Sequence, residues 1–189
     1  RKFLEYRGSD DCFGRSLWGL GYIHACDVMP GGIRTVAGEI LKAAAAKCEE
    51  LYYIRGKAYA ILGLCRWRDR KAREYVAALA ADLATALEAN ATDDWFWFED
   101  CLTYGNAVMP FALLEAANLC DNINWLTAGQ RSLDFLLKTT FDNDVFRPVG
   151  CKGWYRKGET PAMYDQQPIE ACETLLACLR AYTLTGNAA

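Results

Sequence analysis

Several residue patterns that carry chemistry in other proteins are scarce in this sequence. It holds one histidine, His24, and none of its nine cysteines forms a C-x-x-C pair. The clustered Cys and His of a zinc site are therefore missing, and neither a metal nor another cofactor is expected. Basic charge is not in excess: 21 Lys and Arg stand against 24 Asp and Glu, for a formal net charge of −3. A phosphate backbone asks for the opposite balance, so no nucleic acid partner is expected. Long apolar runs are lacking too, since the strongest, 58–65 and 108–114, fall well short of the ~20 residues a bilayer span needs. No membrane partner is expected. The chain opens on Arg1-Lys2-Phe3 without a basic segment leading into an apolar one; no secretory signal is read, and the expected location is cytoplasmic. The absence of an initiator Met leaves two readings open, a fragment of a longer chain or a chain that stands by itself.

What is present suits a folded domain. The 189 residues are 52% hydrophobic and 24% charged, and a chain of this length buries roughly 70% of its unfolded surface without staples. No low-complexity linker or charge block divides it, which points to a single domain over 1–189. The cysteines (12, 26, 48, 65, 101, 120, 151, 172, 178) are odd in number and mostly sit inside helical patterns. They read as reduced, buried thiols with no intrachain disulfide. His24 lies on the stripe Phe13, Leu17, Leu20, His24, which makes it a core or lining residue rather than a ligand.

A helix followed by a loop recurs seven times, over roughly 11–26, 32–51, 54–67, 70–89, 105–120, 123–140 and 168–185, with ends uncertain by ~2–4 residues. The expected fold is all-α. Two helix types alternate. The second, fourth and sixth are amphipathic, with wet faces such as Arg34, Glu39, Lys42 and Glu49 or Arg131, Asp134 and Lys138. The first, third, fifth and seventh are apolar nearly all round, which predicts burial on every side. Such alternation suits a two-layer array with inner helices parallel to one another and outer ones antiparallel to them. Gly14, Gly19, Gly21 and Gly63 would let inner helices approach closely, a packing reason that offsets the cost of helical glycine.

Parallel inner helices would bring four N-terminal segments to one mouth: 9–15, 52–55, 95–106 and 164–170. The mouth would hold Asp11 and Arg15, then Trp95, Trp97, Glu99, Asp100, Tyr104 and Asn106, then Asp165, Gln166, Gln167 and Glu170. Some of these are also what plain helix starts look like. Ser9, Asp10 or Asp11 suit an N-cap, Gln167 precedes a Pro168 that suits the first helical position, and Glu170 would favour the helix dipole. Trp95-Phe96-Trp97-Phe98 alternates like a strand, so its two tryptophans face one way, with Glu99 continuing their side. Pro110 sets a choice: the fifth helix starts near it, or is kinked there. The longest irregular stretch, 146–168, carries Trp154 and Tyr155 beside Arg156 and Lys157, and long loops inside compact domains are usually functional. Stacking faces combined with amide and carboxylate groups suit a sugar ring. Two carboxylates across a glycoside, Glu99 or Asp100 with Asp165, could act as acid and base or nucleophile. Asp165 reads as the ionised member and Glu99 as the acid, with Gln166 and Asn106 binding hydroxyls and Trp97 or Trp154 stacking.

At these segments the chain resembles the six-hairpin (α/α)-toroid carbohydrate-active proteins, and more closely a bacterial helical domain found with glycosyltransferases. The resemblance rests on Asp11-x-x-Gly14-Arg15-x-x-Trp18-x-Leu20-Gly21. It rests also on Trp97-Phe98-Glu99-Asp100-x-Leu102-Thr103-Tyr104-x-Asn106-Ala107-x-x-Pro110, and on Asp165-Gln166-Gln167-Pro168-x-Glu170-Ala171. The position before Asn106, Asp in that family, is Gly105 here. The resemblance implies a partial toroid of about seven of some twelve helices, a saccharide ligand at the mouth, and glycoside hydrolase-like chemistry. The alternative it leaves is a non-catalytic carbohydrate-binding or scaffolding domain that accompanies a glycosyltransferase. Related sugar epimerases work through histidines, against which the lone His24 argues.

Overall fold

The computed structural model describes residues 8–186. Among them are seven α-helices: α1 (Asp10–Ala25), α2 (Gly31–Ala45), α3 (Ile54–Leu64), α4 (Arg70–Asn90), α5 (Val108–Cys120), α6 (Ile123–Thr140) and α7 (Pro168–Thr185). Four two-residue strands accompany them: β1 (Cys101–Leu102), β2 (Phe141–Asp142), β3 (Val145–Phe146) and β4 (Tyr155–Arg156). Local chemistry sets the ends. Ser9 caps α1, its hydroxyl accepting from the Cys12 amide, and Asn122 caps α6 by accepting from the amides of Asn124 and Trp125. The expected second helix splits: after Ala45 its last turn tightens into a 3₁₀ turn, Ala46–Glu50, a common way for a helix to end. The fifth helix begins at Val108, so Pro110 falls in the first turn. Its missing N–H would have had no helical partner there.

The chain divides into two compact units, Arg1–Ala80 and Ala81–Ala189. In the first, α1 and α3 run parallel. A Cβ on Gly14 would lie 2.8 Å from the Cβ of Tyr59, and one on Gly21 would lie 2.8 Å from the Cα of Gly63, so the partners advance together along both helices. A Cβ on Gly56 would come within 2.7 Å of Asp10, and only hydrogen fits in these gaps. Gly19 meets nothing within 4 Å, so the packing role expected for it is not found. α2 turns back against α1: the backbone carbonyl of Arg34 lies 3.1 Å from His24 Nδ1, and the imidazole rests on Gly38. His24 is thus a lining residue of this hairpin.

In the second unit α5 and α7 are also parallel. The Gly105 amide donates to Glu170 at their starts, while Arg180 pairs with Glu115 at 3.0 Å farther along. α6 folds back on α5, with Gly129 against Leu114 and the carbonyl of Pro110. Inner pairs are therefore parallel within each unit, and the hairpin partners run back along them.

Burial follows the two-type pattern for only half the inner helices. α5 is buried without a break from Val108 to Ala117, and in α3 only Ile54 and Lys57 escape full burial. α1 buries Gly14, Leu17 and Gly21, and α7 buries Glu170, Glu173, Thr174, Ala177 and Ala181. Against expectation, α7 turns its charged residues inward and leaves Leu175, Leu179 and Tyr182 more than half exposed. An all-round apolar composition says that a helix tolerates neighbours on every side, not that it has them. The expected strand at 95–98 is also absent: Trp95, Trp97 and Phe98 are all buried and the chain bends there. All nine cysteines are free thiols, but Cys12 and Cys172 are exposed rather than buried. Among the described residues no helix is long and apolar enough to cross a membrane.

Candidate functional site

Two of the four segments that the sequence singles out, 95–106 and 164–170, lie in the second unit with the irregular stretch 146–168, and short-range pairing brings these three together. β1 pairs antiparallel with β4, Cys101 opposite Arg156 and Leu102 opposite Tyr155. The Lys157 amide extends this pairing by donating to the carbonyl of Asp100 at 2.8 Å. Residues 99–104 thus run beside 154–157. The loop beyond closes on itself: Gly150 N–H donates to Ala162 O at 2.7 Å, Ala162 N–H to Trp154 O at 2.9 Å, and Cys151 N–H to Asp165 O at 3.1 Å.

Two residues of that loop adopt left-handed backbone, Trp154 with φ 61° and Asp165 with φ 62°. Asp tolerates this region, whereas a bulky side chain there is held by its surroundings at a cost of order 1–3 kcal/mol. Half-buried Trp154 lies with its ring centroid 6.2 Å from that of half-buried Tyr104, at an interplanar angle of 50°. In the same loops Asp100, Asp165, Gln166 and Gln167 are exposed and Glu99 is half-buried. Gln167 occupies the N-cap position of α7 without a side-chain capping bond.

Glu170 and Asn106 occupy a different place from the ligand contacts expected of them. The Glu170 carboxylate, 4% exposed, accepts from the Gly105 amide, from the Asn106 amide at 3.3 Å and from Asn106 Nδ2 at 3.0 Å. Asn106, 1% exposed, also accepts from the Thr103 amide at 3.0 Å and donates to the Thr103 carbonyl at 2.9 Å. With three N–H donors meeting one buried carboxylate, the two side chains tether the loop carrying Tyr104 to the start of α7. Gly105 has φ 58°, a conformation that glycine adopts at no steric cost. Cys151, which sequence reasoning left among the bland thiols, lies within electrostatic reach of this cluster. Burial raises its pKa, and the carboxylates of Glu170 and Asp165 add to the rise.

Trp95 and Trp97 are not stacking platforms. At 2% and 0% exposure they are core: Trp95 packs edge-on against Phe135 and Tyr155 and donates through Nε1 to the carbonyl of Glu99 at 2.7 Å, and Trp97 packs on Phe98 and Phe135. Phe96 points the other way and carries the Arg131 guanidinium 3.8 Å over its ring.

Asp11 and Arg15 belong to the first unit. Arg15 lies over the Tyr59 ring, 4.7 Å from its centroid, and donates to the Tyr59 hydroxyl at 2.9 Å. Asp10, which the sequence offers both as a helix cap and as part of the mouth, has the larger structural role there. Asp10 Oδ2 accepts from the amides of Tyr52 and Tyr53 at 2.7 and 2.9 Å, tying the start of α1 to the start of α3. Among the described residues no group of three or more Asp, Glu, His or Cys is placed to hold a metal ion.

Comparison of the chain with family models, with curated proteins and with solved structures returns no match.

Proposed function

We propose that the chain is a hairpin array of the six-hairpin toroid type whose second unit binds a saccharide at the loops preceding α5 and α7. The observation that carries this reading is the Tyr104–Trp154 pair, with Trp154 kept in a left-handed conformation beside a left-handed Asp165. Strained backbone of this kind concentrates at functional sites. Two tilted aromatic faces give a ring of C–H groups something to stack on, and exposed Asp100, Asp165, Gln166 and Gln167 supply acceptors and donors for hydroxyls. The parallel inner pair with an antiparallel partner, repeated in each unit, supports the array.

In the catalytic form of the proposal, half-buried Glu99 donates a proton to the glycosidic oxygen. Asp165, or Asp100, activates water or attacks the anomeric carbon. A separation of roughly 5–5.5 Å between the two carboxyl groups would give retention and roughly 6.5–9.5 Å inversion. One observation favours the non-catalytic alternative, a binding domain that serves a glycosyltransferase: Asp100 and Asp165 are both solvent-exposed, whereas reacting groups ordinarily lie in a site closed to water.

The test is calorimetric titration with oligosaccharides of Trp154→Ala, Tyr104→Ala, Asp165→Asn and Glu99→Gln, together with turnover assays on the complete gene product. Binding that falls at least tenfold in the two aromatic variants supports the site. Turnover lost in the two carboxyl variants while binding persists supports catalysis. Binding that survives both aromatic variants removes the site from these loops.

A further inference from the structure

The outer face of α7 carries a row whose members are spaced alternately four and three residues apart: Pro168, Cys172, Leu175, Leu179 and Tyr182. All five are exposed, the last three at 60%, 54% and 55%. A strict repeat of this spacing is the narrow seam by which one helix packs along another, distinct from the wider stripe that a helix turns to a core. α7 has its core-facing stripe besides, in Glu170, Glu173, Thr174, Ala177 and Ala181. The outer row therefore does not serve the packing of its own unit. A row of related spacing runs along the exposed face of α6, and there it reads Asn124, Thr127, Arg131, Asp134 and Lys138. Exposed apolar residues scattered singly need no explanation, but a contiguous row of them marks an interaction surface.

The chemistry of the row narrows its occupant. The positions that flank it on both sides, Ile169, Ala171, Leu176, Cys178, Thr183 and Thr185, carry no charge. Charges there select a partner when two different helices pair, and basic ones hold a helix to an anionic bilayer. Neither device is present, and a helix without flanking charge meets no repulsion from its own copy. The row is also complementary to itself when reversed. Two copies set antiparallel about a two-fold axis beside Ala177 place Cys172 against Tyr182, Leu175 against Leu179, and Pro168 against the C-cap residue Gly186. Each large side chain then meets an equal or smaller one. Parallel copies would instead put tyrosine on tyrosine and cysteine on cysteine, a wide layer beside a narrow one. The 18 residues of α7 span about 27 Å, a small contact, so the association it supports depends on concentration.

We propose that the outer row of α7 is a self-association surface on which a second copy of this chain docks antiparallel, Leu175 of each copy against Leu179 of the other. The proposal stands independently of the reading given to Tyr104 and Trp154.

The full 189-residue chain is followed by sedimentation equilibrium from about 1 μM to about 1 mM, the range over which weak contacts fill. Its mass rises from that of one chain toward that of two and no further, because a two-fold contact closes on itself. Leu179→Glu, at an exposed position, moves the midpoint at least tenfold higher in concentration and leaves the circular dichroism unchanged. Orientation is read in two ways. Mixing Leu175→Glu chains with Leu179→Lys chains restores association that each has lost alone, since the opposite charges face each other only when the helices run antiparallel. In a Cys12→Ser background, oxidation with copper phenanthroline leaves Cys172 unlinked to Cys172 of the second copy, ~15 Å away along the axis, whereas Tyr182→Cys gives a thiol that forms a disulfide with it. The proposal is overturned if the chain stays monomeric throughout, whether or not the monomer floats with phosphatidylserine vesicles, or if it grows beyond two copies. It is overturned equally if Leu179→Glu associates as the parent does, if the mixture stays dissociated, or if Cys172 links to Cys172.

Discussion

The two units solve one packing problem, a pair of parallel helices, with opposite chemistry. In the first, backbone meets backbone: Gly14 against Gly56 and Gly21 against Gly63 leave no room for side chains between α1 and α3. In the second, side chains span the pair: Glu170 holds Gly105 and Asn106 at one end, and Glu115 pairs with Arg180 at 3.0 Å farther along. The glycine contact gains dispersion from close approach but carries little directional information. The polar bridges fix register, because sliding one helix along the other would part Glu170 from the Gly105 and Asn106 amides and Glu115 from Arg180. A close glycine contact is therefore most vulnerable to added volume, and a bridged contact to a missing partner.

The comparison breaks most visibly at Gly63. In Gly63→Leu the new side chain starts with a Cβ 2.8 Å from the Trp18 amide nitrogen, and backbone cannot swing aside as a flexible side chain does. Urea unfolding is expected to show a loss of more than about 3 kcal/mol, beyond the usual range for overpacking. Gly19→Ala, with nothing within 4 Å, is expected to cost nothing and to gain a few tenths of a kcal/mol from helix propensity.

The next largest effect is at the ion pair, whose side chains are 20% and 8% exposed. Glu115→Leu alone strands Arg180 and is expected to cost about 3 kcal/mol, whereas Glu115→Leu with Arg180→Met recovers most of it. Recovery in the double variant but not in either single one is the signature sought. Equal loss in all three would mean that the pair contributes packing rather than charge.

A smaller loss is expected from Glu170→Gln, which replaces one acceptor oxygen with a donor facing N–H groups. About 1–2 kcal/mol of stability should go. Because the tether holds the loop of Tyr104, any ligand at the Tyr104–Trp154 pair should also dissociate faster in this variant, which stopped-flow fluorescence can read.

The last effect is confined to alkaline pH and belongs to the first unit. Burial, with a contribution from Glu49, pushes the Cys48 thiol from 9.0 up to about 12. Above pH 9 the folded state keeps a proton that the unfolded state releases, so stability is full below that value and declines as pH rises toward 12. Cys48→Ala should flatten that decline in unfolding curves taken across the alkaline range, and alkylation of the native protein should reach exposed Cys12 and Cys172 well before Cys48.

Helices were legible where periodicity and punctuation agree. Pro168 opens α7, Asp121 and Asn122 separate α5 from α6, and the alternation of wet and apolar stripes anticipated that α1 and α3, and α5 and α7, run parallel within each unit. Gly14, Gly21 and Gly63 were readable as close contacts because each breaks an otherwise good helix former's run. Gly56, at the start of α3, carries no such signal, since glycine near a helix end is ordinary. The aromatic run Trp95–Phe98 misled for a physical reason: alternation of four large side chains fits a strand, but a bent segment buries three of them equally well. The Glu115–Arg180 bridge was not legible, because two charges 65 positions apart on different helices give no local pattern. For the candidate site, spacing identified the three segments of the second unit that pairing brings together, but not that Glu170 and Asn106 spend their hydrogen bonds on the loop itself.

The reversed polarity of α7 also governs how the protein behaves on a column. With Glu170, Glu173 and Arg180 turned inward, Leu175, Leu179 and Tyr182 present an uncharged stripe to water. Sulfate strengthens apolar association by exclusion from the surface, so the chain should be retained on a phenyl resin in moderate ammonium sulfate and elute as the salt is withdrawn. Leu175→Glu with Leu179→Lys, an i,i+4 pair of the favourable polarity, should shorten that retention and raise the sulfate concentration at which the protein precipitates, with the fold unchanged.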